Sequence, residues 1–124
     1  MARFIDDGPW SIDLFCIRCK FKNMAFKFEN LIVWQKAIDL SNDIHTLTRS
    51  FPKEELYILT SQIKRAADSV ALNIAEGSTG NTDKEFARFL SIANRSALEV
   101  VSCLYIGKKR DLIKDKEFKK FMIN

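Results

Sequence analysis

Apolar side chains recur every three or four residues along three long stretches of this chain, and no other feature restricts its fold as strongly. The first stretch, about Glu29 to Ser50, carries Leu31, Trp34, Ile38, Leu40, Ile44 and Leu47 and is closed by Phe51. The second opens at Pro52 and carries Leu56, Leu59, Ile63, Ala66, Val70 and Ile74. The third, from Thr82, carries Phe86, Phe89, Leu90, Ala93, Ala97, Val100 and Leu104. This is the period of an amphipathic helix with one apolar stripe. The chain has only four Gly and two Pro in 124 residues, too few turn residues for a sandwich or barrel.

The boundaries carry their own signals. Pro52 disfavours α geometry at Phe51, which ends the first helix. Pro52 also suits a first helical position, and Glu54 and Glu55 complement the positive end of the second helix. Gly77 is expected just past its C-terminus in the left-handed conformation. Thr82-Asp83-Lys84-Glu85 is a capping-box pattern opening the third helix, which should stop near Gly107–Arg110. Leu112-Ile113 reads as a buried connector. A fourth helix, starting near Asp115 with Phe118, Phe121 and Met122, spans only about ten residues, or ~15 Å.

Short loops between long helices require antiparallel neighbours. The fold class expected is all-α, an antiparallel up-down four-helix bundle with a shortened last helix, which leaves apolar surface on the first three helices uncovered. Ala66, Ala67, Ser69, Ala71 and Ala75 would let neighbours approach the second helix closely. At 47% hydrophobic and 29% charged residues, the composition fits one globular domain. Residues 24–124 form that domain. Residues 1–23, with Gly8-Pro9, clustered aromatics and no sustained helical period, read as an extension outside the bundle, and Met24 reads as the natural start. No signal peptide is visible and no run approaches the ~20 apolar residues of a membrane span. The expected compartment is the cytoplasm.

Chemistry-bearing patterns are sparse. Cys16, Cys19 and Cys103 are an odd set, consistent with reduced thiols. Cys16-Ile17-Arg18-Cys19 has C-x-x-C spacing, but a structural zinc site needs four ligands and His45 is the only histidine. One histidine cannot supply the paired Glu-x-x-His motifs of a di-iron bundle, and no acid or nucleophile stands at helical spacing from it. Phosphate loops, nucleophile elbows and zinc-protease motifs are missing. The reading is a non-enzyme without cofactor or metal. A polar stripe on the second helix, Gln62, Arg65, Ser69, Asn73 and Glu76, shares one face. It reads as a solvated face, a polar network between helices or subunits, or a ligand-facing surface. Residues 108–120 hold seven basic side chains against Asp111, Asp115 and Glu117, a local surplus equal to the whole net charge of +4. Such a segment attracts polyanions, or simply complements helix C-termini.

Residues 28–113 resemble the bacterial four-helix-bundle family encoded in intervening sequences of 23S rRNA genes. The matching segments are Phe28-Glu29-Asn30-Leu31, Val33-Trp34-Gln35-Lys36-Ala37, Phe51-Pro52 with Glu54, and Leu59-Thr60-Ser61-Gln62-Ile63-Lys64-Arg65-Ala66-Ala67. Ser69-Val70, Asn73-Ile74-Ala75-Glu76-Gly77 and Phe89-Leu90 with Ile92-Ala93 complete the pattern. The resemblance implies an up-down four-helix bundle and ring-like homo-oligomers, pentamers, with no catalytic residues. Relatives include accessory proteins of diversity-generating retroelements, whose basic surfaces engage nucleic acid and a reverse transcriptase. Family members begin near the position of Met24 and continue into a longer last helix, so this chain departs at both ends. The functional expectation is an RNA-associated oligomer whose binding residues are Lys64, Arg65, Lys108, Lys109, Arg110, Lys114, Lys119 and Lys120. The alternative is a structural or adaptor protein that binds an unidentified protein partner. No membrane partner is expected.

Overall fold

In the computed structural model, residues 26–80 and 82–123 are described. Four α-helices run Ile32–Thr48 (α1), Ser61–Ser78 (α2), Asp83–Lys109 (α3) and Asp115–Ile123 (α4). No strand occurs among the described residues. The chain is all-α, and its helices pack as a bundle with a short fourth member. The proposed extension, residues 1–23, and with it Cys16 and Cys19, lies outside the described residues.

α1 starts later than its pattern suggests. Lys27–Asn30 form a separate 3-10 turn, and Leu31 is extended, with φ −82° and ψ 119°. The Glu29 carbonyl accepts from Gln35 Nε2 at 2.8 Å, and Phe28 and Trp34 pack ring to ring at 4.8 Å. At the other end Thr48 and Ser50 hydroxyls donate to the His45 and Leu47 carbonyls, satisfying acceptors that a helix end leaves open. On the inner face the expected Ile38 is 42% exposed, and its neighbour Ala37 is buried instead. One residue is a step of about 100° around a helix, so the seam prefers the smaller side chain, facing Val70, Ala71 and Ile74.

The second helix is not continuous from Pro52. Pro52 is extended, with ψ 155°, and Lys53–Glu55 form a 3-10 turn. Leu56–Thr60 then form a π-helical turn before α2 proper. Its wider i→i+5 winding changes which side chains point inward. Leu59 is buried, whereas Leu56, expected in the core, is 47% exposed. The turn also leaves Thr60 Oγ1 buried with no partner among the described residues.

Gly77 corrects a second expectation. It lies inside the last turn of α2, and no glycine has positive φ among the described residues. Its role is close approach: a Cβ there would lie 2.5 Å from Phe89 Cβ and 3.0 Å from Phe86 Cδ1. α3 begins as read, with Thr82 Oγ1 accepting from the Glu85 amide at 3.1 Å. Its far end closes in a Schellman motif. The Leu112 amide donates to the Gly107 carbonyl at 2.8 Å and the Asp111 amide to the Lys108 carbonyl at 3.1 Å. Asp111 takes the left-handed position, φ 61°, which glycine usually fills. This turn folds Ile113 into the core, buried against Gly107.

α2 is the central element, packed against both α1 and α3. The core has two parts. Near the α4 end, Ile44, Leu47, Phe51, Leu59, Ile63, Val100, Leu104, Ile113 and Phe118 interlock. Toward the other end the seam is made of Ala37, Val70, Ala71, Ile74 and Ala93, with Leu31 and Trp34 at its edge. α4 has nine residues against 27 in α3. Beyond its reach a groove of about 560 Å³ lies open, with Val33, Ala37, Val70, Ala97 and Val101 on its walls and Phe121 at its rim.

Contrary to the sequence reading, one described helix, α3, is long and apolar enough by length and composition to cross a membrane. Its apolar residues are spread around the helix and broken by polar ones, so they form no continuous run. Arg95 and Glu99 interrupt it, Glu99 accepts a hydrogen bond from Gln62 of α2, and Val100, Cys103 and Leu104 sit in the bundle core.

Two glycines should respond differently to the same substitution. Alanine gains about 1 kcal/mol over glycine in a helix interior. At Gly77 the obstacle is Phe89 Cβ, close to backbone, so Gly77→Ala should cost a net ~1–3 kcal/mol. At Gly107 the nearest atom is the mobile end of Ile113, Cδ1 at 2.6 Å, so Gly107→Ala should fall near neutrality. Asp111→Gly should stabilise by about 0.5–1 kcal/mol by removing left-handed strain. Thermal unfolding of the three variants would check this ordering, since ~1 kcal/mol moves the midpoint by several degrees in a domain of this size.

Candidate nucleic-acid interface

The up-down path returns the C-termini of α1 and α3 to the same end of the bundle. A hollow between Ser50 and Pro52 on one side and Asp111, Leu112, Lys114 and Glu117 on the other shows how closely the two loops adjoin. Exposed cations from both loops therefore share this end: Arg49, Lys53, Lys108, Lys109, Arg110, Lys114 and Lys116. Basic side chains after α1 and α3 also face the negative ends of the helix dipoles.

Several acids share this end, and most are engaged locally. Glu55 Oε1 holds Arg110 Nη1 at 3.3 Å. Asp115 Oδ1 lies 3.4 Å from Lys108 Nζ, which also sits 4.5 Å from the Phe118 ring centre. Glu117 Oε1 accepts from the Lys114 amide at 3.4 Å. The Lys108–Asp115 pair, with both side chains exposed, is worth only ~0–1 kcal/mol, so Lys108 can exchange its carboxylate for phosphate, whereas Arg110 is held by a Glu55 side chain that is only 16% exposed. Arg49, Lys53, Lys109, Lys114 and Lys116 have no ion pair among the described residues. Glu54 and Asp111 remain exposed at the same end and weaken its field.

The other cations read from sequence are placed elsewhere. Lys119 is exposed on α4, and Lys120 reaches the rim of the open groove. Lys64 is half-buried and Arg65 exposed, about one turn into α2 from the basic end. Arg49 and Lys53 are absent from the sequence reading, because more than fifty residues separate them from 108–120. The signal was nonetheless available: in any up-down bundle the first and third helices end on the same side.

The polar stripe of α2 divides. Gln62 Nε2 donates to Glu99 Oε2 of α3 at 2.6 Å. Ser96 Oγ donates to Ser69 Oγ at 2.9 Å, and Asn73 Nδ2 donates to the same Ser69 Oγ at 2.9 Å and to its carbonyl at 2.8 Å. Gln62 and Ser69 join α2 to α3 within one subunit, Asn73 braces Ser69 from within α2, and Arg65 and Glu76 face solvent. Ser41 of α1 donates to Asp68 on another side of α2. Cys103 is buried, and desolvation, then the Glu99 charge, raises its thiol pKa, which disfavours a nucleophilic thiolate. His45 is exposed. Among the described residues no group of three or more His, Cys, Asp or Glu could hold a metal ion.

Residues 29–124 match the family described as 23S rRNA-intervening sequence protein. No curated protein matches the chain.

The bond between Ser69 and Ser96 yields a direct test. Ser96 is buried, so Ser69→Ala strands its hydroxyl and also removes an acceptor of Asn73; the destabilisation should be ~1–3 kcal/mol. Removing both hydroxyls should cost less than the sum of the single changes. A double-mutant cycle in urea measures the coupling, and strict additivity would mean that the seam contributes nothing specific.

Proposed function

The chain belongs to the 23S rRNA-intervening sequence protein family, and on that premise we propose that it is a non-enzymatic, self-associating bundle protein that holds RNA at the basic end of each subunit. The observation that carries this reading is the gathering of Arg49 and Lys53 from the α1–α2 connection with Lys109, Lys114 and Lys116 from the end of α3 to the start of α4, with no ion pair among the described residues to satisfy them. Cations arranged this way bind phosphate without reading sequence, and each neutralised phosphate releases counterions. A homo-oligomeric ring of such subunits, the assembly the family resemblance implies, repeats the patch and multiplies weak binding into avidity. Lys119, Lys120, Lys64 and Arg65 lie outside the end itself and would extend the track along α4 and α2. The setting proposed is cytoplasmic, with no cofactor.

A second reading is favoured by a separate observation. α3 exposes Leu98, Val101, Tyr105 and Ile106, and the groove beside it is open. An adaptor that captures another protein would use such apolar surface, and its binding would respond little to salt.

Binding of the full chain to a structured RNA, titrated at low and at physiological salt, separates the two. Affinity should fall steeply with salt. The variant Lys109→Gln/Lys114→Gln/Lys116→Gln should bind about tenfold or more weakly at low salt. Its logarithmic salt slope should be shallower by roughly 0.7–0.9 for each phosphate that is no longer neutralised. Wild-type affinity in that variant would remove the basic end from the binding surface.

A further inference from the structure

We propose that the π-helical turn Leu56–Thr60 is a stacking platform for unpaired RNA, with Tyr57 receiving the face of one base and the adjoining hollow beneath Arg110 receiving the next. This rests on the RNA reading above and specifies the kind of RNA and the residues that hold it.

Tyr57 is 88% exposed, more than any other large apolar side chain among the described residues, and Leu56 and Ile58 beside it are exposed as well. An unbroken helix in register with α2 would direct Leu56 inward; the π winding is what turns this segment out. It does so while leaving Thr60 Oγ1 buried and unpartnered among the described residues. π turns of this kind recur at functional sites.

The surroundings suit a nucleotide. Glu55, immediately before the turn, holds Arg110, which fixes Tyr57 beside the basic end rather than elsewhere on the bundle. Lys53 precedes the turn by three residues and Lys109 adjoins Arg110 in sequence, and both are exposed. Next to Ile58 lies a hollow of about 310 Å³, walled by Ile58 and Leu59 and edged by Gln62, Glu99, Ser102 and Arg110. An apolar wall with a polar edge matches a base, whose faces are apolar and whose rim carries donors and acceptors. Glu99 can accept from an exocyclic amine, and the half-exposed guanidinium of Arg110, paired with Glu55, stands at the edge where a phosphate can share it. Bases in a duplex already stack on each other and cannot reach a side chain, so the occupant is a single-stranded stretch or loop. The cations gathered at this end favour this polyanion over an apolar protein segment.

The test uses the full chain with a labelled single-stranded RNA of mixed sequence and a duplex of the same length, followed by fluorescence anisotropy. Tyr57→Ala should weaken single-strand binding about tenfold or more while duplex binding stays within about twofold; Tyr57→Phe should bind like wild type. Because Tyr57 is exposed, helicity by circular dichroism should be unchanged in both variants. If the lysine variant binds more weakly but Tyr57→Ala does not, the stacking platform is wrong and the basic end stands. If wild type binds neither RNA, both readings fall. If Tyr57→Ala changes the sedimenting mass and leaves RNA affinity intact, the turn is a protein-binding surface and the platform is overturned.

Discussion

Close approach between helix backbones at α2 is the constraint on which the rest of the structure depends. α2 presents Ala66, Ala67, Val70, Ala71 and Gly77 to its neighbours, and both α1 and α3 pack against it. Small side chains let dispersion attraction act along the backbone itself, at the expense of the apolar area that large residues would bury. The polar bonds from Gln62 to Glu99 and from Ser96 to Ser69 fall on the same α2–α3 seam. They fix the register of two helices whose small apolar residues alone would allow sliding.

Much of this is legible in the sequence, because a helical stripe is a strong periodic signal. Spacing alone names Ile44, Leu47, Leu59, Ile63, Val70, Ile74, Val100 and Leu104, and all are buried. The failures have separate causes. Hydrophobicity ranks Ile38 above Ala37, whereas a close helix crossing selects by volume. Gly77 reads as a left-handed cap, yet its missing Cβ serves the approach of Phe89. A left-handed position does occur, but after α3 at Asp111, where glycine would be the usual signal. The π turn is invisible because its bonds are local backbone geometry, with no residue type that demands it.

The candidate interface is half legible. A charge run such as 108–120 is plain in one dimension, and it does end near a bundle terminus. Charge gathered by folding back, as with Arg49 and Lys53, requires the topology first. Spacing places Gln62, Arg65, Ser69, Asn73 and Glu76 on one face, but leaves open whether that face meets water or a helix. The answer differs residue by residue, since α3 covers only part of it.

The short α4 has a consequence for how the molecule opens. At one end four helices meet around Ile, Leu and Phe side chains; at the other, three helices share a seam of alanines beside an open groove. Local opening free energy follows buried apolar packing, so amide exchange is graded along the bundle axis. Protection should be deepest where α4 packs on the core, around Ile63 and Leu104, and shallower toward Ala37, Ile74 and Ala93. The basic end thus sits on the more densely packed part of the bundle, and the alanine seam lies toward the opposite end.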